Sequence, residues 1–306
     1  MEIQLIGAAL GAGAQDSRTR QGAQALKDLG LLPYLRRLGF DVKDFPILES
    51  ASPASAPALL EALPMIAEFN EKLAQLVQIP FRKNQIPIVI GGDHSIAAGT
   101  WSGLASATPN QDWGLLWMDA HMDAHTTATT ETGAVHGMPV AALLGHGDAR
   151  LTQILSVRPK IKPENLCLLG VRSFEAGEAR TLRELGVRVY FIDEIERRGF
   201  RACWNEARER LRQRTSFWGV SLDLDALDPE HFAAVGSPVQ GGLRINEVTE
   251  ALSEIAADPR FRAFELVEYN PTLDEQGLGF PQIVRLLAAL MKSLQKRHSG
   301  RLDLQL

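Results

Sequence analysis

Trp113–Pro139 reads WGLLWMDAHMDAHTTATTETGAVHGMP, and the step inside it from apolar to ionisable residues decides how the chain is read. Trp113 to Met118 is an apolar run of the length expected of a strand buried on both faces of a parallel sheet. Asp119, His121, Asp123 and His125 follow at every second position. In an extended backbone alternate side chains share a face, so these four are expected to converge on one side. A lone Asp or His at a strand end is most often a turn former or a helix cap, an explanation that four in strict alternation strain. Crowded carboxylates and imidazoles repel and desolvate one another unless positive charge sits among them. A divalent metal is the natural occupant.

Other apolar runs end in the same way. Ile86 to Ile90 passes into Gly91-Gly92-Asp93-His94-Ser95, where two glycines allow a sharp turn that aims the Asp and His into a cleft. Asn165 to Val171 is followed by Arg172-Ser173-Phe174-Glu175, and Phe217 to Leu222 by Asp223-Leu224-Asp225-Ala226-Leu227-Asp228-Pro229. Phe264 to Val267 leads into Glu268-Tyr269-Asn270-Pro271. Further strands are expected at Glu2 to Ala9, Asp41 to Phe45 and Val187 to Ile192. Helical spacing marks Ala23 to Leu35, Leu59 to Phe81, a segment before Trp113, Val140 to Leu144, Asp193 to Arg212 and Gln282 to Gln295. Ser50 to Pro57 is a surface connection, and the polar tail after Lys296 is expected to fray.

Strands alternating with helices imply an α/β fold, a parallel sheet with helices on both faces. Ligands of such sheets bind beyond the carboxyl ends of the strands. Five strands place polar residues there: His94, the Asp119 group, Glu175, the Asp223–Asp225 pair and Glu268.

Composition narrows the class of protein. The 306 residues, 45% hydrophobic and 23% charged, suit a globular chain, and without a compositional break residues 1–306 are read as a single domain. A net charge of -5 argues against nucleic acid or an anionic membrane as partner and favours a small molecule. Cys167 and Cys203 offer neither a disulfide framework nor a thiolate metal signature, and they read as reduced residues of a cytoplasmic protein. The amino terminus lacks the basic region of a leader, and no apolar run approaches the roughly 20 residues of a membrane span.

Two imidazoles, His94 and His121, and four carboxylates, Asp119, Asp123, Asp223 and Asp225, are too many ligands for a tetrahedral structural zinc. Oxygen-dominated ligation with a few histidines suits Mn²⁺, and two ions sharing bridging carboxylates would use all six. His136 alone would more often be structural, but its place in a Gly-flanked loop just after the metal strand makes it a candidate catalytic residue. His146, His231 and His298 sit in polar contexts and read as solvated.

Three of these segments, Gly91 to Ser95, Asp119 to Asp123 and Ser221 to Pro229, resemble in order the signature motifs of the ureohydrolase superfamily, which includes arginase, agmatinase and formimidoylglutamase. The resemblance implies a three-layer α/β/α fold, two Mn²⁺ per chain and hydrolysis of a guanidino or amidino group by a metal-bridging hydroxide. Carried over, His94, Asp119, Asp123 and Asp223 would hold one ion and Asp119, His121, Asp223 and Asp225 the other. Asp123 would orient the nucleophile, Glu268 receive the guanidinium and His136 relay protons.

Among superfamily members, the Thr129 to Pro139 loop looks most like that of arginase, which implies cleavage of L-arginine to L-ornithine and urea. Thr132 matches a carboxylate-binding hydroxyl of that loop. Glu175, in place of the usual aspartate, and Glu178 lie in the segment that holds the α-ammonium. His125 and Ala134 stand where arginases typically carry carboxylate-binding asparagines, and the amino-terminal loop keeps an arginine without the usual Gly-Pro pair. The alternatives are another ureohydrolase, acting on agmatine, a guanidino acid or formimidoylglutamate, or a non-catalytic member. The resemblance also implies a homo-oligomer.

Overall fold

The computed structural model describes residues 2–50 and 59–302, with side chains as far as residue 297. Eight strands, β1 (Ile3–Ala9), β2 (Ile47–Glu49), β3 (Ile86–Ile90), β4 (Trp113–Met118), β5 (Leu166–Val171), β6 (Arg188–Phe191), β7 (Phe217–Asp223) and β8 (Phe261–Val267), form one sheet in the order β2-β1-β3-β8-β7-β4-β5-β6. Every pairing is parallel.

The period-two pattern of the strands divides the core into two layers. Ile86, Ile88 and Ile90 of β3, with Leu116 and Met118 of β4, pack into one apolar cluster. Val89, Leu115 and Trp117 face the other. Burial on both faces explains why these strands read as unbroken apolar runs. Cys167 and Cys203 both lie in the first cluster as free thiols. Burial pushes the Cys167 thiol up to about 12, so it stays an inert thiol.

Helices cover both faces: α1 (Gly22–Asp28), α2 (Leu31–Arg37), α3 (Leu63–Arg82), α4 (Ala97–Ala107), α5 (Pro139–Leu143), α6 (Ala149–Thr152), α7 (Ala176–Leu185), α8 (Ile192–Arg198), α9 (Phe200–Arg214), α10 (Ile245–Glu254) and α11 (Gly279–Leu302). None of them is long and apolar enough to cross a membrane.

Several expected elements differ. The helix expected over Ala23 to Leu35 is two helices parted at Gly30, whose φ of 84° stops α1. Asp193 to Arg212 is likewise broken at Gly199, φ 82°. Asp41 to Phe45 is not a strand: Val42 makes only an isolated bridge to Ile3, and Arg36 takes the Val42 and Lys43 carbonyls that a ladder would need. The edge strand forms just after it, at Ile47–Glu49. The α7 and α10 helices were not expected from the sequence, and α11 continues through the expected fraying point to Leu302. The Ser50 to Pro57 connection lies almost wholly outside the described residues.

Strands β3, β8, β7 and β4 are four consecutive neighbours at the middle of the sheet. Their carboxyl ends carry His94, Glu268, Asp223 and Asp119. Sheet order thus gathers residues that lie up to 174 positions apart in the chain, as the bond from His94 N to Glu268 Oε1 shows.

Candidate active site

The β3 end is turned by Gly91 and Gly92, with φ of 99° and 80°. A Cβ on Gly92 would lie 2.9 Å from the carbonyl oxygens of Ala8 and Leu10, so only glycine fits. Asp93, fully buried, caps the following turn through Ser95 N at 2.9 Å and accepts a bond from Gly13 N at 2.8 Å. Asp93 therefore fastens the amino-terminal loop and does not face the cleft. His94 does.

His94 Nδ1 lies 3.1 Å from Asp119 Oδ2, 3.1 Å from Asp123 Oδ2 and 3.0 Å from Asp223 Oδ2. It has no hydrogen bond of proper geometry to any of them, although it is buried. Three carboxylate oxygens thus crowd about His94 Nδ1 without a proper bond to it, an arrangement a cation would resolve. The imidazole plane is fixed by stacking on Trp117, with ring centroids 4.0 Å apart. Trp117 Nε1 also donates to Asp119 Oδ2 at 2.9 Å.

Asp119 faces both ways. Its Oδ2 is turned to His94, while Oδ1 lies 3.4 Å from His121 Nδ1, which is itself 3.0 Å from Asp225 Oδ2. Two groups suited to a cation result, His94–Asp119–Asp223 and Asp119–His121–Asp225, with Asp119 common to both. Charge balance points the same way. Burial and the Asp119 charge push Asp123 up to about 6, and burial with neighbouring carboxylates raises Asp223 and Asp225 as well. Asp119, buried too, is instead held below the carboxylate range by the two histidines. A cluster that resists its own negative charge gains most from bound cations.

Asp123 reaches the cluster from a backbone at φ 50° rather than from an extended strand, because β4 ends at Met118. The expected alternation therefore stops short of His125. That side chain turns away, with Nε2 2.8 Å from Glu175 Oε2 and Nδ1 3.2 Å from Thr129 Oγ1.

Glu178 is buried beside this pair. It accepts bonds from Glu175 N at 3.0 Å and Ala124 N at 3.1 Å, so it both caps α7 and anchors the loop that carries Asp123 and His125. Burial pushes its carboxyl up to about 8. Thr132 stands at the rim, its hydroxyl accepting from Ala134 N at 3.2 Å.

Glu268 has φ of 68°, a second non-glycine residue held in the left-handed region at this site. Its Oε1 accepts from His94 N at 2.8 Å and lies 3.0 Å from His136 Nδ1. Burial opposes charging His136, but the Glu268 bond and charge, with Asp123 and Asp93, outweigh it and push the imidazole up to about 9. His121, Asp123, Asp223, Asp225, His136 and Glu268, with His125, Thr132, Glu175 and Glu178, border one cavity of ≈ 570 Å³, and His94 and Asp119 lie buried behind its wall.

Behind the ligands lies a network that the motifs did not reveal: His94 Nε2 to Ser221 Oγ, Ser221 to Glu265, and Trp101 Nε1 to Glu265. An acid inside an otherwise apolar strand was its available signal. His146 is exposed as expected; His231 is half-buried with a partnerless Nδ1, and the His298 side chain lies outside the described residues.

The arginase family profile matches residues 1–294. This chain belongs to the arginase family. A curated arginase of Bacillus caldovelox is 38% identical over 292 residues, 94% of this chain and 97% of that one. An arginase of Bacillus subtilis is 35% identical over 294 residues, 94% and 97% of the two chains. The crystal structure of arginase from Bacillus cereus superposes with a TM-score of 0.86 at 34% identity, covering 95% of this chain and 98% of that one. Formimidoylglutamase from Bacillus subtilis, at 21% identity and TM-score 0.76, shares the fold. The chain is an arginase-like hydrolase with the three-layer α/β/α architecture of the family.

Proposed function

We propose that the protein hydrolyses the guanidino group of L-arginine to L-ornithine and urea, with residues 1–306 acting as one arginase-like domain. The observation that carries this reading is the shared position of Asp119 between His94 and His121, behind a cavity lined by His121, His136 and Glu268. The names of the relatives, arginases at 32–38% identity, support the substrate.

The donor set fits two Mn²⁺: His94, Asp119, Asp123 and Asp223 would hold one, and Asp119, His121, Asp223 and Asp225 the other. When bound, such a pair lowers the pKa of a shared water towards neutrality and so supplies the nucleophile. The protein's side chains then divide the remaining work. Asp123 accepts a hydrogen bond from the attacking water and orients it. Glu268 receives the guanidinium and sets its carbon against that oxygen.

As the carbon gains oxygen, its bond to the side-chain nitrogen breaks, and the departing amine must gain a proton. His136, held by Glu268, delivers it and is reprotonated from solvent. At the far end Glu175 and Glu178 take the α-ammonium, with Thr132 and His125 beside the α-carboxylate.

The test is a panel of arginine, agmatine, guanidinobutyrate, guanidine and formimidoylglutamate, assayed with manganese-loaded enzyme for urea, ammonia or formamide. L-arginine is expected to lead by about 10²-fold or more in kcat/KM, since a polar site left unpaired discriminates strongly. Faster turnover of any other member would leave only the ureohydrolase class standing.

A further inference from the structure

We propose that Arg18 selects for the substrate's carboxylate, an inference that rests on the arginine-hydrolysis reading above. L-arginine and agmatine differ only in that group, so preference for arginine requires a donor or a positive charge placed to meet it. Among the described residues lining the cavity, Arg18 is the one arginine or lysine. Away from the ligand cluster the charged carboxyl groups of the lining are Asp16, Glu131, Glu175 and Glu268. An unassisted carboxylate would be repelled there.

The other donors are weaker claimants. Both ring nitrogens of His125 are engaged, by Glu175 at 2.8 Å and Thr129 at 3.2 Å, and Ala134 has no polar side chain. Gln15, Thr130, Thr132 and Ser237 also border the cavity and can donate, but they carry no charge. Arg18 commits Nε and Nη2 to Asp16, at 2.8 Å and 2.6 Å, leaving the Nη1 edge of its fork for a ligand. Guanidinium is suited to serve two carboxylates at once in this way.

The same Asp-x-Arg cap occurs at Asp148–Arg150 and Asp258–Arg260, and neither of those arginines borders the cavity. The first cap is also fastened to the reaction site. Asn270, wholly buried, donates to Asp16 Oδ2 at 2.9 Å, and it stands two residues after Glu268 on the same strand end. A single strand terminus thus carries the proposed acceptor for the guanidinium and, through Asn270 and Asp16, braces the cation proposed for the carboxylate.

The experiment compares manganese-loaded wild type, Arg18→Ala and, as a control for the cap itself, Arg150→Ala. Each is assayed with arginine and agmatine, and each is titrated calorimetrically with L-ornithine and putrescine, which differ by the same carboxylate. Arg18→Ala is expected to lower kcat/KM for arginine about 10-fold or more, chiefly through KM, and to weaken ornithine binding to a similar degree. Agmatine and putrescine should be unchanged or improved, since a like charge has been removed, and Arg150→Ala should alter none of the four. If the arginine preference of wild type survives in Arg18→Ala, or if both substrates suffer equally, this inference falls and the arginase reading stands. If wild type itself prefers agmatine, both fall together.

Discussion

His94 Nε2 lies 2.9 Å from the hydroxyl of Ser221, and that hydroxyl donates onward to Glu265 at 2.6 Å. As the proposed metal ligand Nδ1 must keep its lone pair free, so the ring proton belongs on Nε2, and Ser221, whose own proton goes to Glu265, is the acceptor that keeps it there. Glu265 is buried, and the same oxygen, Oε2, also takes a bond from Trp101. Ser221→Ala should weaken Mn²⁺ binding on the His94 side by about 10- to 100-fold. Calorimetric titration of ion-free protein reads this directly, and unchanged affinity would deny the tautomer lock.

His136→Ala should retain both ions and lose about 10²-fold or more in kcat, the contribution expected of a general acid–base residue. Metal content and steady-state rates measured on one preparation separate the two effects.

The His136–Glu268 contact also has a pH signature. Because the folded value is raised from 6.5 to about 9, the charged pair stabilises the ion-free fold fully below pH 6.5 and ceases to do so as pH rises through about 9. The difference in melting temperature between ion-free wild type and His136→Asn should therefore shrink across that window. A difference growing with pH would contradict the assignment.

Glu175→Ala should raise KM for arginine more than it lowers kcat, because its carboxylate is proposed to grip the substrate far from the reacting carbon. Hydrogen bonding from His125 already holds that carboxyl below its ordinary value, so it is charged throughout the working range. An equal loss in kcat would place Glu175 nearer the chemistry.

How much of this was legible in the sequence depended on whether a signal was local. Buried strands announce themselves as apolar runs, and the residue that follows each is carried to the cleft by topology alone, which is why His94, Asp119, Asp223 and Glu268 could be named. His125 misled, because alternation holds only while the backbone stays extended and Asp123 already bends it at φ 50°. Breaks at Gly30 and Gly199 were visible as glycines, but their left-handed conformation was not. The Ser221–Glu265 bond pairs neighbouring strands in register, and a register follows only once strand order is known.

Helix packing offers a test of the fold independent of the site. Gly99 and Gly103 of α4 meet the backbone of α3 at Asn70 and Ala74, where an added Cβ would run into main-chain atoms. Gly103→Ala should destabilise by about 1–3 kcal/mol through overpacking, despite the better helix propensity of alanine. Thermal or denaturant unfolding would show it.

The central claim is that one carboxylate, Asp119, is shared by two ions, and metal analysis after manganese loading and removal of free ion tests it most directly. Wild type should hold two Mn²⁺ per chain and Asp119→Ala markedly fewer, with the native fold confirmed by circular dichroism. Equal metal content in the two proteins would contradict the account.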